Sequence, residues 1–336
     1  MKLGQTGRAT DPGRKRRHNE DAYVLLPPLF AIADGMGGAQ AGEIASALAA
    51  SAVKDRINIE AIAGGQARVV ELIQEANRRV HERASTDAAT SGMGTTMTVA
   101  LVEPDGNVTF GHVGDSRAYL LRDGRLEQLT NDHSLVAELV RRGELTPQEA
   151  EVHPQRSVIT RALGTDPDVD VDAFTIDALP GDLYLICSDG LSDMIGSPQI
   201  EEVLRASRDD LDRAARALVQ AANKSGGEDN ITAVLFEIIQ DDAAEPDQPT
   251  VEVAAVDRDF DEEDTLHPED NVQPPPAAPT SVDTMVVPTE QIQAAVDAAE
   301  EKPVPHVSFA RRVLVVLVIL ALIAIIAVLV LWGLAR

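Results

Sequence analysis

The stretch FAIADGMGGAQAGEIA, residues 30–45, places a single carboxylate, Asp34, directly after an apolar run that is typical of a buried strand. Three glycines, Gly35, Gly37 and Gly38, follow Asp34 before a pattern typical of a helix begins, so bulky side chains are scarce around this acid. A tight turn is the simplest interpretation, because Asp-Gly is a common turn signal. The alternative is a metal site that a large substrate must approach.

Acids also lie next to apolar runs or turns at four other places in the chain. These are HNED (Glu20, Asp21), HVGDSRAY (Asp115), CSDGLSD (Asp189, Asp193) and GEDNIT (Glu228, Asp229). Carboxylates beside buried strands are unusual, and several of them at one sheet edge would repel one another unless cations lie between them. Oxygen ligands select Mg²⁺ or Mn²⁺, and two such ions about 3.5–4 Å apart can clamp a phosphoryl group. Three acids in similar turns are expected to be turn residues only: Asp105, Asp123 and Asp182.

Charge is distributed unevenly along the 336 residues, whose formal net charge is −26. Residues 1–240 carry 24 Lys and Arg against 37 Asp and Glu, and residues 241–336 carry 5 against 18. This acidity argues against a nucleic-acid partner, which requires a basic face. The sequence RKRR, residues 14–17, is the local exception. The single cysteine, Cys187, permits no intrachain disulfide and suits a reducing compartment.

A second apolar segment lies near the C-terminus, where residues 313–332 contain no charged or polar side chain apart from a terminal Trp332. Twenty helical residues span about 30 Å, the thickness of a bilayer core, so this segment is predicted to cross the lipid bilayer. Arg311 and Arg312 precede it and only Arg336 follows. The positive-inside rule therefore predicts a single-pass protein of the cell membrane, with the long N-terminal part in the cytoplasm and residues 333–336 outside.

Residues 241–312 form a predicted disordered tether, because they contain 10 prolines and 18 acids against 4 bases. The acidic run DEEDTLHPED around Thr265 is either a phosphorylated docking site or part of a merely solubilising linker. Residues 1–240 are predicted to form one domain. Hairpin signals there outnumber β-helix-β crossovers, which favours an α+β fold with an antiparallel sandwich covered by helices.

Seven motifs, taken in order, resemble the protein phosphatase 2C family of metal-dependent Ser/Thr phosphatases in its bacterial branch. They are RRHNEDAY, FAIADGMGGAQAGE, SGMGTTMTVALV, GHVGDSRAYLLRDG, HPQRSVITRALG, LICSDGLSD and GEDNITAVL, and the match covers about residues 3–240. The resemblance implies a central antiparallel β-sandwich flanked by pairs of antiparallel helices, in α-β-β-α layers. It also implies a centre with two Mn²⁺ or Mg²⁺ ions at one end of the sandwich.

The resemblance assigns a metal-binding role to individual residues. Asp34 would bridge both ions, and Glu20 would bind one of them together with the backbone carbonyl of Gly35. Asp189 and Asp229 would hold the other ion. A third, weaker metal site would consist of Asp115 and Asp193 with Asp189.

The remaining roles implied by the resemblance concern phosphate, water and access to the site. Asp21 would orient water, and Arg16, four residues before Glu20, would bind the phosphate, with Arg17 as the neighbouring competitor. Residues 143–164 would form a mobile flap beside the site. Animal and plant members have histidine where this chain has Met36, which cannot donate a proton, so no general acid is assigned.

The function implied is hydrolysis of phosphoserine and phosphothreonine in proteins by water that a two-metal centre activates. At the membrane, such an enzyme would act on phosphorylated proteins and oppose bacterial Ser/Thr kinases. Two alternatives are a non-catalytic module that binds phosphoproteins and a specialised phosphatase for regulators of sigma factors. Degenerate relatives usually lose metal acids, and none of these acids is missing here.

Overall fold

The computed structural model describes residues 1–37, 41–56 and 64–240, together with a two-residue strand at Met285–Val286. The predicted membrane segment, residues 313–332, and the rest of the predicted tether lie outside the described residues, as does Thr265. Within the described ranges, no helix is long and apolar enough to span a bilayer.

Two antiparallel sheets form the centre of the described domain. In spatial order, the first sheet consists of β1 (Lys2–Asp11), β12 (Ile231–Ile239), β11 (Leu183–Cys187), β7 (Arg117–Arg122) and β8 (Arg125–Gln128). The second consists of β10 (Asp172–Ile176), β6 (Val108–Val113), β5 (Met97–Val102), β3 (Leu29–Met36) and β2 (Asp21–Leu26), with β4 (Gly94–Thr95) also paired to β3. All of these pairings are antiparallel, as the hairpin signals predicted.

Helices cover the outer face of each sheet. α1 (Ala41–Arg56) and α2 (Gly65–Thr86) share an apolar cluster with the second sheet. α5 (Asp189–Ser192), α6 (Ser197–Ala206) and α7 (Leu211–Ser225) share another with the first sheet. The connection between β8 and β10 contains α3 (Leu135–Arg141), α4 (Pro147–Glu151) and β9 (Val158–Ile159), and β9 pairs in parallel with β13 (Met285–Val286). The expected α-β-β-α layers are therefore confirmed.

Strand β3 shows how the sequence builds these layers. Its odd-numbered residues, Leu29 and Ala31 among them, pack in the cluster with α1 and α2. Phe30 and Ile32 point to the opposite face, as alternation along a strand requires, and pack between the two sheets. The ring of Phe30 stacks on that of Phe236 in β12, with centroids 4.2 Å apart. This contact fixes one sheet against the other.

The layer between the sheets is apolar along most of its length and becomes polar at one end. Continuing the same alternation, Asp34 follows Phe30 and Ile32 on the inner face of β3. Ser188 follows the inner residues of β11, and Thr232 precedes those of β12. Both hydroxyls donate hydrogen bonds to Asp21 Oδ2, over 2.8 Å and 2.6 Å. The polar end of the inter-sheet layer thus contains Asp21 and Asp34.

The sequence patterns did not predict strand β1. The sequence KLGQTGRATD of β1 has no apolar run, and only its pairing with β12 makes it a strand.

Gly7 provides a test of the packing between β1 and α7. A Cβ atom at Gly7 would lie 2.2 Å from the carbonyl carbon of Leu211, which is backbone and cannot rotate away. We expect Gly7→Ala to lower the free energy of unfolding by about 1–3 kcal/mol through overpacking, measured by urea denaturation. Gln5→Ala, at an exposed position in the same strand, is the matched control and should change it by less than about 0.5 kcal/mol. Equal effects of the two substitutions would contradict this packing.

Candidate active site

The structure brings five of the predicted aspartates to the same end of the sandwich. Asp34 lies near the end of β3, and Asp21 lies directly opposite it in the ladder with β2. Asp189 begins the short helix that follows β11, and Asp229 lies just before β12. Asp115 lies in the turn between β6 and β7 and is buried. Acids separated by up to 208 residues in sequence therefore converge in one place.

Burial and like charges perturb these carboxyl groups. Burial, reinforced by the charges of Asp21 and Asp189, raises the pKa of Asp34 well above its usual range. Burial also raises the pKa of Asp189 strongly, and the charges of Asp115 and Asp193 make the next largest contributions. For Asp21, burial raises the pKa to about 6 even though Thr232 and Ser188 stabilise its ionised form. Cations bound among these carboxylates would therefore be stabilised, whereas ionising all of the carboxylates without cations costs free energy.

Two oxygens of the cluster lack a partner. Asp21 Oδ1 and Asp115 Oδ1 are buried, and neither has a hydrogen-bond partner. Buried acceptors in this state require an ion or an ordered water. Among the described residues, however, no group of three Asp, Glu, His or Cys side chains is arranged to hold an ion by itself. Mg²⁺ in proteins typically keeps several waters and binds only one or two carboxylates. The acids at this end of the sandwich therefore fit cations that take their remaining ligands from water and phosphate.

Glycines allow Glu20 to approach the same region. The N–H of Gly35 donates to the carbonyl of Glu20 over 3.1 Å. A Cβ at Gly35 would lie 2.1 Å from the carbonyl oxygen of Gly42, and a Cβ at Gly42 would lie 2.8 Å from Glu20 Oε2. The Glu20 carboxylate therefore packs on the first turn of α1, where the helix dipole favours negative charge. Side chains at these two glycines would displace Glu20.

Arg16, which the resemblance assigns to phosphate, contacts one of the acids. Its guanidinium donates to Asp229 Oδ2 over 2.8 Å, while Asp229 Oδ1 accepts the N–H of Asn230. Arg17, the competitor from the sequence, is exposed. In this structure Arg16 therefore contacts a carboxylate of the acid cluster.

Asp132 was missed by the sequence motifs but borders the predicted third site. Burial raises the pKa of Asp115 to about 7, and the charges of Asp132 and Asp193 add to this effect. Asp132 is itself held by the guanidinium of Arg117, with contacts of 2.6–3.1 Å. No apolar run adjoins Asp132, so the criterion that identified the other acids could not identify it.

Asn230 was also missed, although it directly follows Asp229. Its side-chain oxygen accepts the N–H of Glu20 over 2.7 Å, and its amide donates to the carbonyls of Pro12 and His18 over 3.0 Å and 2.9 Å. Asn230 therefore fixes both ends of the segment that contains Arg16. The signal in the sequence was only its position in GEDNIT.

Met36 connects the site to the predicted flap, residues 143–164. Its buried side chain packs with Ile159 of β9 and with Ala162. Hydrogen bonds between Leu163 and Thr95, of 2.9 Å and 3.2 Å, anchor the end of the flap to β4. At its start, Thr146 caps α4 through a reciprocal bond pair with Glu149. Met36 thus makes an apolar contact where a proton donor would otherwise be expected.

The comparisons with known proteins agree with this geometry. A family model described as "Protein phosphatase 2C" matches residues 15–235. The chain belongs to the protein phosphatase 2C family. It is 41% identical over 238 residues to "Serine/threonine phosphatase stp" of Listeria monocytogenes, covering 68% of this chain and 93% of that protein.

Solved structures of this family superpose on the described fold. The crystal structure of the Mycobacterium tuberculosis serine/threonine phosphatase PstP/Ppp has a TM-score of 0.66 and 37% identity, covering 71% of this chain and all of that one. The catalytic domain of PstP in complex with two manganese ions has a TM-score of 0.64 and 34% identity, covering 71% and 99%. The chain is therefore a metal-dependent protein Ser/Thr phosphatase, with Mn²⁺ or Mg²⁺ as cofactor.

The raised pKa values predict how metal-free protein responds to pH. Asp21 and Asp115 titrate at about 6 and about 7 in the folded chain, compared with 3.8 when unperturbed. Between pH 4 and 7 the folded chain therefore binds more protons than the unfolded chain, so the free energy of unfolding falls as pH rises. We expect the Tm of EDTA-stripped protein to decrease from pH 5 to pH 8, and Mn²⁺ at pH 8 to restore it.

Two substitutions control this measurement. Asp21→Asn removes one of the titrating groups and should flatten the pH dependence of Tm in metal-free protein. Asp168→Asn, at an exposed position outside the cluster, should leave it unchanged. A Tm that rises with pH in metal-free protein would contradict the electrostatic description of the site.

Proposed function

We propose that two divalent cations bind at the acid end of the inter-sheet layer and that this centre hydrolyses phosphoserine and phosphothreonine in proteins. Asp34 would serve both ions. Glu20, with the carbonyl of Gly35, would complete one site, and Asp189 and Asp229 the other. The supporting observation is Asp34 itself, a partly buried carboxylate. Its pKa is raised by burial and by the charges of four neighbouring aspartates.

The bound cations would polarise the phosphoryl group and lower the pKa of water. Asp21 is suited to hold and orient that water. Its Oδ2 accepts hydrogen bonds from Ser188 and Thr232, which fixes the carboxylate, while its Oδ1 remains available as an acceptor. Asp21 would thus act as a positioning residue for the nucleophile.

Arg16 would bind the phosphoryl oxygens of the substrate. A guanidinium fork suits a phosphate dianion, and the present bond of Arg16 to Asp229 shows that its side chain reaches the ligand set. When substrate binds, its phosphate would replace the carboxylate of Asp229 as the anionic partner of Arg16. Met36 would take no part in proton transfer, and with Ile159 it would keep water away from the flap side of the site.

The weaker third site would consist of Asp115 and Asp193, with Asp189 shared. The buried, unpartnered Oδ1 of Asp115 and its pKa of about 7 support a cation there. Asp132 would then add negative charge to this site through its position beside Asp115 rather than by direct binding.

The wider context of the enzyme is part of the same proposal. Residues 1–240 would form the catalytic domain, residues 241–312 a tether, residues 313–332 a membrane helix and residues 333–336 a short outer tail. The enzyme would then act in the cytoplasm beside the membrane and oppose Ser/Thr kinases there. The apolar composition of residues 313–332 supports the anchor. The match to catalytic relatives favours turnover over a non-catalytic module.

Asp34→Asn tests the shared ligand. We expect the full-length variant to lose at least about 100-fold in kcat for p-nitrophenyl phosphate with Mn²⁺, because both ions lose a carboxylate. Asp168→Asn is the control and should retain wild-type kcat. EDTA should abolish wild-type activity and Mn²⁺ should restore it. Undiminished hydrolysis after metal stripping would contradict the two-metal proposal.

Arg16→Ala tests phosphate binding, with Arg17→Ala as the matched neighbour. Loss of a charge-assisted hydrogen bond to phosphate should raise the KM of the Arg16 variant for p-nitrophenyl phosphate by about tenfold or more. The exposed Arg17 should be dispensable for this small substrate. Equal KM values for the two variants would show that the assignment of Arg16 is wrong.

A further inference from the structure

Three cations beside the site have no role in the mechanism above. Arg14, Lys15 and Arg17, called here the basic rim, are exposed, and the side chain of Lys15 retains 62% of its accessible surface. They surround Arg16 in the chain, so they lie within one or two residues of the side chain that contacts Asp229. In a chain with a formal net charge of −26, this local concentration of positive charge requires an explanation.

The backbone of the basic rim is fixed in place. The N–H groups of Arg14 and Lys15 both donate to the carbonyl of Gly227, over 2.7 Å and 3.3 Å. The side chain of Asn230 holds the same segment at Pro12 and His18. The rim is therefore positioned by the loop that contains Asp229.

The contacts of Glu228 indicate that the basic rim can bind a carboxylate. Its Oε1 lies 2.5 Å from Lys15 Nζ, and its Oε2 lies 3.8 Å from the guanidinium of Arg156 in the flap. An exposed carboxylate thus lies between two cations from different segments, at the edge of the acid cluster. A carboxylate of a bound peptide could make the same contacts.

We propose that the basic rim binds acidic side chains next to the phosphorylated residue, so that the enzyme prefers phosphopeptides flanked by Asp or Glu. This inference rests on the proposed function, because the phosphate must occupy the metal centre for the flanking residues to reach the rim. The other acids of the domain would repel such a substrate, whereas the exposed cations of the rim would attract its acidic side chains. Glu228 competes with the peptide for Lys15 and thereby limits the preference.

Matched phosphothreonine peptides test the rim in the full-length protein. One peptide has Ala and Ser around the phosphothreonine, and the other has Asp at the flanking positions on both sides. We expect wild-type kcat/KM, measured by phosphate release with Mn²⁺, to be about fivefold higher for the acidic peptide, mainly through KM. The advantage should shrink at high salt, because the contacts are exposed.

Variants separate recognition from structure. Lys15→Ala/Arg17→Ala should bring the ratio of the two kcat/KM values close to one and leave hydrolysis of p-nitrophenyl phosphate unchanged. Glu228→Gln should increase the ratio above the wild-type value, because Lys15 loses its internal partner. Arg125→Ala/Arg205→Ala removes the same charge from exposed positions in β8 and α6 and should keep the wild-type ratio.

The outcomes distinguish the two levels of the proposal. No Mn²⁺-dependent hydrolysis of p-nitrophenyl phosphate by the wild type would overturn the proposed function. Normal hydrolysis with equal kcat/KM for both peptides, or with an unchanged ratio in the Lys15→Ala/Arg17→Ala variant, would overturn the rim alone. An unchanged ratio combined with lost binding to phosphatidylserine vesicles would also overturn it and assign the rim to a membrane surface.

Discussion

Repulsion among aspartates at the polar end of the inter-sheet layer is the constraint on which the rest of the site depends. Burial raises the pKa values of Asp21, Asp34 and Asp189, and the charge of at least one neighbouring aspartate adds to each of these shifts. Such a cluster is stable only with protons or cations between its members. This cost is confined to one end of the sandwich, where the proposed metal ions, with water and a phosphoryl group, would compensate for it.

The apolar part of the same layer makes the arrangement possible. Phe30 and Phe236 stack between the two sheets. The strand that contains Phe30 continues to Asp34, and the strand that contains Phe236 has Thr232 near its start. Alternation along each strand then directs every second side chain into the layer. The positions of the acids are therefore consequences of hydrophobic packing farther along the same strands, which keeps them close together despite their repulsion.

Local sequence patterns were sufficient to predict those acids that lie directly beside an apolar, strand-forming run. The apolar run before Asp34 indicated both a buried strand and its functional end, and the same held for Asp189 and Asp229. The individual ligand roles came from the resemblance, because spacing alone could not separate these acids from turn residues. Asp182 shows the limit of the turn rule: it was expected to be a turn residue only, but its buried carboxylate also pairs with the partly exposed Arg122.

Features that depend on distant partners could not be predicted. β1 is a strand because β12 supplies its hydrogen bonds, and Asn230 acts on Glu20 and His18 from 210 residues or more away. The basic rim was visible in the sequence only as an exception to the overall acidity. Its position beside Glu228 and the flap required the folded chain.

Calorimetric titration of metal-free, full-length protein with Mn²⁺ tests the central claim most directly. The account predicts two tight Mn²⁺ ions per wild-type chain and one weaker ion, with both tight sites severely weakened in Asp34→Asn. Asp115→Asn should affect only the weaker ion. Retention of two tight Mn²⁺ ions by Asp34→Asn, with wild-type affinity, would contradict a centre built around this shared carboxylate.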